Sequence, residues 1–247
     1  MKTIEKPQLI VTSTLFVLLS LLALVLLMAG CVSERIEGNR EVILQERPSQ
    51  PFSEVVSTGS FSVKIIPSTE TRIEVKGESN VLPYLSTYSN GTKLTVKYND
   101  GYNIREHYPV EVFLYTDVLN AVSLSGSGTV DCGYFEADDM YLNISGSGGI
   151  NGDFDTDNLE AVISGSGNMD LAGSSNEGLI TISGSGNINA QNMVLQHCSA
   201  NISGSGNINT TVIKTLDATI SGSGSIFFNG NPGITTHISG SGNVVKY

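Results

Sequence analysis

The residues best suited to chemistry form a group of aspartates in the middle of the chain. Asp153, Asp155 and Asp157 alternate along the sequence, and Asp138 and Asp139 precede them. If the segment is a strand, its alternate residues share one face, which places the three carboxylates together on the outer surface. Such a group suits a pair of hydrolase carboxylates or a weak Ca²⁺ site. It also suits a solvated surface that discourages aggregation, and we expect this third role, with no metal, cofactor or catalytic residue.

Other chemical motifs are weak. An EF-hand loop that starts at Asp153 needs an acidic residue at its twelfth position, where Ser164 stands. The repeated Gly-Ser-Gly sequences lack both the third glycine of a dinucleotide site and the Gly-Lys-Ser/Thr of a P-loop. His107, His197 and His237 lie far apart in the sequence, which argues against a metal site or a catalytic triad. The sequence therefore predicts a protein without enzymatic activity.

The charge distribution narrows the choice of partner. The chain has a net charge of −11, and residues from Val122 onward contribute eleven acidic side chains against two basic ones, Lys214 and Lys246. Nucleic-acid binding depends on Lys and Arg that neutralise phosphates, so this part of the chain does not suit it, nor does it suit an anionic glycan. Cationic partners, neutral sugars and divalent cations remain open.

The N-terminal residues predict export. Lys2 and Lys6 precede an apolar run from Leu9 to Ala29, and the sequence LMAGC ends at Cys31. This pattern resembles a prokaryotic lipoprotein signal peptide, which implies cleavage after Gly30 and a lipid on Cys31. The alternative is an uncleaved helix, since about 20 apolar residues span a bilayer. With either anchor, the lysines favour a cytoplasmic N-terminus, and the rest of the chain lies at the outer face of a prokaryotic membrane.

A tetrapeptide repeat organises the second half of the chain. Copies of SGSG begin at Ser125, Ser145, Ser164, Ser183, Ser203, Ser221 and Ser239, at intervals of 18–20 residues. Each copy has an apolar residue one position before it and another two positions after it, and apolar and polar residues alternate around the motif. The period is too short for a strand and a helix, so it predicts an all-β, β-helix-like solenoid of about seven regular coils.

The repeat also predicts the role of its small and polar residues. Glycine at the second and fourth motif positions permits a bend, and the serines are expected to hydrogen-bond to neighbouring coils. Asparagine follows the motif at residues such as Asn168 and Asn187, where it predicts a ladder at a corner and a tolerance of left-handed backbone. Cys198 lies in an apolar column and is expected to be buried, about three coils from Cys132 and therefore beyond disulfide reach.

The segments before the repeat predict a less regular β-structure. We divide the chain into a signal peptide at 1–30, a tether at 31–51 that includes a strand at 41–44, irregular N-terminal β coils at 52–121, and the SGSG solenoid at 122–247. Asn90-Gly91 between two strand-like runs predicts a hairpin. The sequence SNVLPYL at 79–85 predicts a short helical turn or a loop. Four Asn-x-Ser/Thr sequons, at Asn90, Asn143, Asn201 and Asn209, are open to glycosylation or to chance.

These motifs together resemble a known family. The signal peptide, FSEVVSTGSFSVKI at 52–65, NVLPYL at 80–85 and the tandem ISGSGNI units are similar to the bacterial and archaeal head GIN domain family of putative autotransporter adhesins. The resemblance covers about residues 52–247. It implies a β-helix-like solenoid and a role in adhesion, and it provides no catalytic residues.

The expected function is that of a lipid-anchored cell-surface adhesin or interaction scaffold. Its expected partners are the membrane, through the lipid on Cys31, and an envelope glycan or protein, and nucleic acid is not expected. One alternative is a structural rod that assembles through open β edges. The other is a carbohydrate-active enzyme that uses the aspartates between Asp138 and Asp157.

Overall fold

The computed structural model describes residues 34–247, which are almost entirely β-structure. No helix within these residues is long and apolar enough to cross a membrane. The strands in chain order are β1 Glu34–Glu37, β2 Val42–Arg47, β3 Glu54–Gly59, β4 Ser62–Pro67, β5 Arg72–Glu78, β6 Leu85–Asn90, β7 Lys93–Tyr98, β8 Tyr102–Arg105, β9 Glu111–Thr116, β10 Ala121–Gly126, β11 Thr129–Gly146, β12 Gly149–Gly165, β13 Asn168–Gly184, β14 Asn187–Gly204, β15 Asn207–Gly222, β16 Ser225–Gly230, β17 Gly233–Gly240 and β18 Asn243–Lys246. A 3₁₀ turn at Leu82–Tyr84 lies between β5 and β6.

The long strands β11 to β15 each form one coil of a parallel solenoid. Neighbouring coils pair in register, so that Ile163, Ile182 and Ile202 stand directly above one another. The SGSG motifs stack in the same way, and the remaining coils are completed by shorter strands such as β10, β16 and β17. The predicted β-solenoid of about seven turns, roughly 19 residues apart, is confirmed.

Backbone contact between coils explains both motif glycines. The glycine at the second motif position has left-handed backbone, as at Gly184 with φ 141°, and a Cβ there would lie 2.3 Å from the carbonyl oxygen of Gly165. At the fourth motif position, a Cβ on a glycine such as Gly186 would lie 2.4 Å from the oxygen of Gly167. Between them, the backbone N–H of Ser185 donates to the oxygen of Gly165 at 2.9 Å. Contacts this short leave no room for a side chain.

Asparagine after the motif has only one of the two properties predicted for it. Asn168 and Asn187 begin extended strands, and the positive φ values in this region belong to glycines. The predicted ladder is confirmed, because Asn187 Nδ2 donates to Asn168 Oδ1 at 3.1 Å and Asn207 Nδ2 donates to Asn187 Oδ1 at 3.2 Å. The left-handed conformation expected of asparagine is wrong, since glycine supplies the bend and asparagine supplies amide hydrogen bonds.

The apolar columns form a continuous core along the rod. Ile182, Ile202 and Ile220, which precede successive motifs, are at most 2 % exposed. In the last coil the same column is open, because Ile238 is 47 % exposed and β17 pairs only with β15 within residues 34–247. Ile238 is thus apolar, as in the other copies of the motif, but within residues 34–247 no coil stacks on this side of it.

The irregular N-terminal coils continue the stacking of the solenoid. Strand β3 pairs in parallel with β10, which places Thr58-Gly59 directly beneath Ser125-Gly126. The sequence STGS at 57–60 thus forms an additional, degenerate level of the repeat. On the other side, β4 pairs with β11 and with β9, and the sheet ends with antiparallel pairs of β9 with β5 and β5 with β2.

The hairpin and the short helical turn predicted for this region are confirmed. Strands β6 and β7 form an antiparallel hairpin that turns after Asn90, and the 3₁₀ turn lies within the SNVLPYL segment. Residues 31–51, for which the sequence predicted a tether with a strand, contain β1 and β2, and β1 pairs in parallel with β8. The signal peptide at 1–30 and Cys31 lie outside the described residues.

Candidate ligand groove

A groove with a volume of about 690 Å³ crosses several coils of the solenoid. Its floor follows one buried column of the core, whose members Met140, Leu159 and Cys198 are at most 4 % exposed. Residues on either side of an inward-pointing strand residue point outward. Two rows of outward side chains therefore form the walls, and the strand backbone between them forms the floor.

The two rows are fixed by the register of the coils. The first row is Asp139, Asn158, Glu177, His197 and Thr215. The second row is Ala121, Tyr141, Glu160, Leu179, Ser199 and Asp217. Successive members of a row are separated by the strand spacing of about 4.8 Å. The rows thus present a polar or apolar group at each coil along the rod.

The groove combines negative charge with two exposed apolar side chains. Carboxylates of Asp139, Glu160, Glu177 and Asp217 line it, together with Glu54 at one end, and the lining includes no Lys or Arg. Tyr141 is 38 % exposed and Leu179 is 39 % exposed. A concave site with apolar surface and a few placed polar groups is the usual form of a ligand site.

Hydrogen bonds within the first row hold its side chains in place. Asn158 Nδ2 donates to Asp139 Oδ1 at 2.9 Å, and His197 Nδ1 lies 2.7 Å from Thr215 Oγ1. These contacts join adjacent coils and leave further acceptor positions on Asp139 open to a ligand. The groove therefore offers several carboxylate oxygens as hydrogen-bond acceptors.

The aspartates singled out from the sequence lie mainly on a neighbouring surface. Asp138, Asp155 and Asp157 border a second concavity of about 520 Å³, together with Glu136, whereas Asp139 belongs to the groove. The predicted alternation is confirmed, because Phe154 and Thr156 are buried between the aspartates at 153, 155 and 157.

Side chains of neighbouring coils form hydrogen bonds with the carboxylate oxygens of Asp155 and Asp157. Ser174 Oγ donates to Asp155 Oδ1 at 2.8 Å, and Asn176 Nδ2 donates to Asp157 Oδ1 at 2.7 Å. The hydroxyl of Tyr134 lies 2.9 Å from Asp155 Oδ2 and 2.7 Å from Glu136 Oε1. The hydrogen bond from Ser174, and to a smaller extent that from Tyr134, lowers the pKa of Asp155. The hydrogen bonds of the Tyr134 hydroxyl with Glu136 and Asp155 raise the pKa of Tyr134. Asp155 is thus held in its ionised form.

The remaining sequence candidates lie apart from one another. Residues 34–247 contain no group of three or more His, Cys, Asp or Glu side chains arranged to hold a metal ion. His107 contacts Glu78 near the N-terminal strands, His197 lies in the groove, and His237 lies on β17. Cys132 and Cys198 are unpaired, and burial raises the pKa of the Cys198 thiol to about 12.

Apart from Asp139, His197 and Cys198, sequence reasoning did not single out the residues that line the groove. Tyr141, Glu160, Glu177 and Leu179 differ from one another, so they give no repeated signal of their own. The sequence could nevertheless have predicted their positions, because each lies next to the apolar column that includes Met140, Leu159 and Cys198. Residues that flank an inward column in successive coils must form parallel outward rows.

Comparison with known proteins agrees with this architecture. The chain is similar to a putative adhesin from Bacteroides fragilis NCTC 9343 with 21 % identity and a TM-score of 0.79, covering 86 % of this chain and 100 % of that one. It is also similar to a putative lipid binding protein from Parabacteroides distasonis ATCC 8503 with 25 % identity and a TM-score of 0.75, covering 87 % and 100 %. A putative adhesin from Parabacteroides merdae ATCC 43184 has 23 % identity and a TM-score of 0.70, covering 87 % and 99 %.

The family comparison covers most of the same region. No match was found among curated proteins. A family model described as putative auto-transporter adhesin, head GIN domain, matches residues 51–232, which include the irregular coils and most of the repeats. The chain therefore belongs to the head GIN domain family of putative auto-transporter adhesins.

Proposed function

We propose that this protein is a membrane-anchored surface adhesin that binds a glycan along the groove of its solenoid. The family is one of putative adhesins, and it indicates no catalytic role. The observation that carries the proposal is the groove itself, which places Tyr141 and Leu179 among carboxylate, amide and imidazole groups in two parallel rows. An extended ligand that follows the rod axis contacts one new pair of side chains at each coil.

The lining of the groove defines the chemistry of the glycan. Hydroxyl and amino groups donate hydrogen bonds, and the groove carboxylates accept them. The apolar faces of sugar rings suit the exposed ring of Tyr141. Sulfate and phosphate groups are disfavoured because the lining has five carboxylates and no Lys or Arg. The ligand class is therefore a glycan that carries hydroxyl or amino groups and no anionic substituents.

Binding of the full chain to arrays of neutral, amino and sulfated glycans tests this function. We expect binding to neutral or amino glycans, and a loss of at least tenfold in affinity for Tyr141→Ala and for Glu177→Gln. Tyr88→Ala is the matched control, because Tyr88 is also exposed but lies on β6 outside the groove. Preference for sulfated glycans, or equal binding by all variants, contradicts the proposal.

Anchoring at Cys31 is the second part of the proposal. It is supported by Lys2 and Lys6, the apolar run from Leu9 to Ala29 and the Ala29-Gly30-Cys31 ending. Incorporation of labelled fatty acid by cells that express the full chain tests it. We expect label in the wild type and none in Cys31→Ser, with Cys132→Ser as the control. Equal labelling of the wild type and Cys31→Ser contradicts lipidation at this residue.

A role as a self-assembling rod is supported by the last coil. Ile234 and Ile238 are each 47 % exposed, and Val245 is 41 % exposed. Exposed apolar side chains on an unpaired β edge favour association with another edge. Light scattering over a dilution series tests this function. A mass that stays monomeric at all concentrations excludes assembly, and a mass that rises with concentration and falls in Ile238→Lys supports it.

The geometry favours binding over glycoside hydrolysis at the aspartate cluster. A general acid needs a raised pKa, whereas hydrogen bonds from Ser174 and Tyr134 lower the pKa of Asp155. Asp155→Ala is therefore expected to leave glycan binding in the groove unchanged and to cause no loss of glycan cleavage. Glycan cleavage by the wild type that disappears in Asp155→Ala would overturn this conclusion.

A further inference from the structure

The membrane anchor is separated from the first strand by very few residues. Cys31 precedes Glu34, the first residue of β1, by three positions, and the backbone N–H of Glu34 donates to the oxygen of Gly101 at 2.9 Å. Even a fully extended chain of three residues reaches only about 10 Å. If the apolar run itself is the anchor, its last residue, Ala29, precedes Glu34 by only five positions. If the protein is anchored in this way, the membrane lies close to β1, because there is no room for a long linker.

We propose that the surface formed by β1, β2, β8 and the loop at 106–109, here called the anchor-side face, docks on the lipid bilayer. The inference rests on the membrane anchoring proposed above. It adds that the bilayer contacts defined side chains of the folded protein, and that the solenoid extends away from the membrane with its groove exposed to the environment.

The anchor-side face is one rigid unit because its elements converge on Glu78. This carboxylate is fully buried at the end of β5, and it accepts backbone N–H groups of Arg40 at 2.5 Å and His107 at 2.7 Å. Arg40 lies between β1 and β2, and His107 follows β8. His107 Nε2 also lies 3.8 Å from Glu37 Oε1 on β1. An anchor attached just before β1 therefore positions all of these elements together.

Exposed apolar side chains on this face suit a bilayer surface. Val42, Ile43 and Leu44 on β2 are 41 %, 39 % and 61 % exposed. Successive strand residues point to opposite faces, so β2 presents apolar groups on both sides and is not buried by the core. Tyr102, which pairs with Glu34, is 37 % exposed, and Tyr108 is 49 % exposed. Tyrosine is enriched at membrane interfaces because its ring is apolar and its hydroxyl is polar.

The charge distribution favours the same orientation. Residues 34–121 contain nine Lys and Arg against twelve Asp and Glu, whereas residues 122–247 contain two against eleven. The Lys, Arg, Asp and Glu residues of the anchor-side face are three arginines, Arg35, Arg47 and Arg105, against four glutamates, Glu34, Glu37, Glu46 and Glu106. This face is nearly neutral, and the strongly acidic solenoid is repelled by anionic lipids. The near neutrality of the anchor-side face and the repulsion of the solenoid together favour contact at this face and a solenoid that points away from the membrane.

Tryptophan fluorescence can test the contact because the chain contains no Trp. The full chain is reconstituted in phosphatidylcholine and phosphatidylglycerol vesicles whose acyl chains are brominated, with single substitutions Leu44→Trp and Tyr102→Trp. The matched controls are Tyr141→Trp, whose tyrosine is 38 % exposed, and Ile213→Trp, whose isoleucine is 45 % exposed, both on the solenoid. We expect blue-shifted emission and at least threefold stronger quenching by brominated lipid for the two variants of the anchor-side face.

Each contrary outcome has a separate meaning. If the protein does not float with the vesicles, the anchoring proposal fails and the docking inference fails with it. If the protein floats but all four tryptophans are equally quenched by aqueous acrylamide and equally insensitive to brominated lipid, docking alone is overturned. Shielding of Leu44→Trp that depends on protein concentration and not on brominated lipid overturns it in favour of a second copy of the chain. Glycan binding in the groove is unaffected by any of these outcomes.

Discussion

The N-terminal region at 34–120 and the solenoid at 121–247 are both β-structure, but they are stabilised by different interactions. All six ion pairs of Lys and Arg within residues 34–247, and both contacts of His107 with a carboxylate, lie between Arg35 and Glu111. The N-terminal region also contains the buried carboxylate of Glu78 and mixed parallel and antiparallel pairing. The solenoid instead repeats the same glycine contacts, apolar columns and amide ladders in each coil.

The difference follows from in-register stacking. In a parallel solenoid each residue lies next to its counterpart one coil away. A charged residue repeated in every coil would therefore face the same charge, which is destabilising. Several acidic residues of this solenoid are placed against neutral partners instead. Asn151 Nδ2 donates to Asp131 Oδ1 at 2.7 Å, and Asn189 Nδ2 donates to Asp170 Oδ1 at 2.9 Å. The rod thus tolerates a large negative charge without the cations that the N-terminal region uses.

The largest expected effect concerns the glycine contacts of the solenoid. Gly184→Ala forces a Cβ into left-handed backbone and against the oxygen of Gly165, so we expect a loss of about 3 kcal/mol or more in the free energy of unfolding. Urea denaturation followed by circular dichroism measures it. Gly149→Ala is the control, because a Cβ there has its nearest neighbour at 3.7 Å, and a change within about 0.5 kcal/mol is expected. Equal losses in both variants would falsify the proposed role of the close contact.

The apolar columns provide the next test, within the solenoid alone. Ile220 is 1 % exposed and Ile238, one coil further, is 47 % exposed in the same column. We expect Ile220→Ala to lower the free energy of unfolding by about 2–5 kcal/mol, as for other buried isoleucines. Ile238→Ala is expected to cost less than about 1 kcal/mol, because the side chain is already half in contact with water. A cost for Ile238→Ala as large as that for Ile220→Ala shows that the last coil is covered in solution.

The N-terminal region should respond most strongly to loss of the Glu78 carboxylate. Burial alone raises its pKa, but the backbone N–H groups of His107, Arg40 and Tyr108 outweigh burial and lower the pKa below its ordinary value of 4.5. We expect Glu78→Gln to cost about 1–3 kcal/mol at pH 7, since an amide cannot accept all of these hydrogen bonds as strongly. Hydrogen exchange at Arg40, His107 and Tyr108 should accelerate, while exchange in β12 to β14 stays unchanged.

The pH dependence sharpens the same comparison. A carboxyl group whose pKa is lower in the folded than in the unfolded state stabilises the protein above the unfolded pKa. The contribution of Glu78 is therefore complete above about pH 4.5 and is lost as the pH falls through the lower folded pKa. We expect Glu78→Gln to flatten stability against pH below 4.5. A Glu78→Gln curve parallel to that of the wild type contradicts this role.

Sequence alone predicts the solenoid well because its determinants repeat. Each glycine, isoleucine and asparagine position occurs several times at one period, so a single physical explanation accounts for many residues. The error concerning asparagine arose because two properties of this residue, tolerance of left-handed backbone and amide hydrogen bonding, were both consistent with its position. The structure separates them, since Gly184 has the positive φ and Asn187 has the amide contact.

The N-terminal stacking, the buried Glu78, the groove and the hydrogen bonds of the aspartates depend instead on contacts that occur only once. The stacking of Thr58-Gly59 beneath Ser125-Gly126 joins segments 67 residues apart, and Glu78 joins three segments that have no shared pattern. The groove likewise cannot be predicted from one segment, because the proximity of Tyr141, Glu177 and Leu179 follows only from the register of the coils. The aspartate cluster was visible in the sequence, but its hydrogen-bond partners Ser174 and Asn176 come from the next coil. Single contacts between distant segments leave no periodic signal.

The smallest expected effect lies where the solenoid places Glu136 and Asp155 in register. The hydroxyl of Tyr134 lies between their carboxylates. Tyr134→Phe removes this donor and leaves like charges opposite each other, so we expect a slightly lower unfolding midpoint at pH 7. In an Asp155→Asn background the repulsion is absent, and Tyr134→Phe should then have a smaller effect.

Thermal unfolding of the wild type, both single variants and the double variant measures this coupling. Low pH is a second readout, because hydrogen bonds lower the pKa of Asp155 and its contribution is lost when the carboxylate is protonated. The effect of Tyr134→Phe should therefore shrink as the pH falls. If Tyr134→Phe has the same effect in both backgrounds and at both pH values, the hydroxyl does not offset the repulsion. The solenoid then tolerates stacked carboxylates by solvation alone, and the contrast with the ion-paired N-terminal region becomes larger.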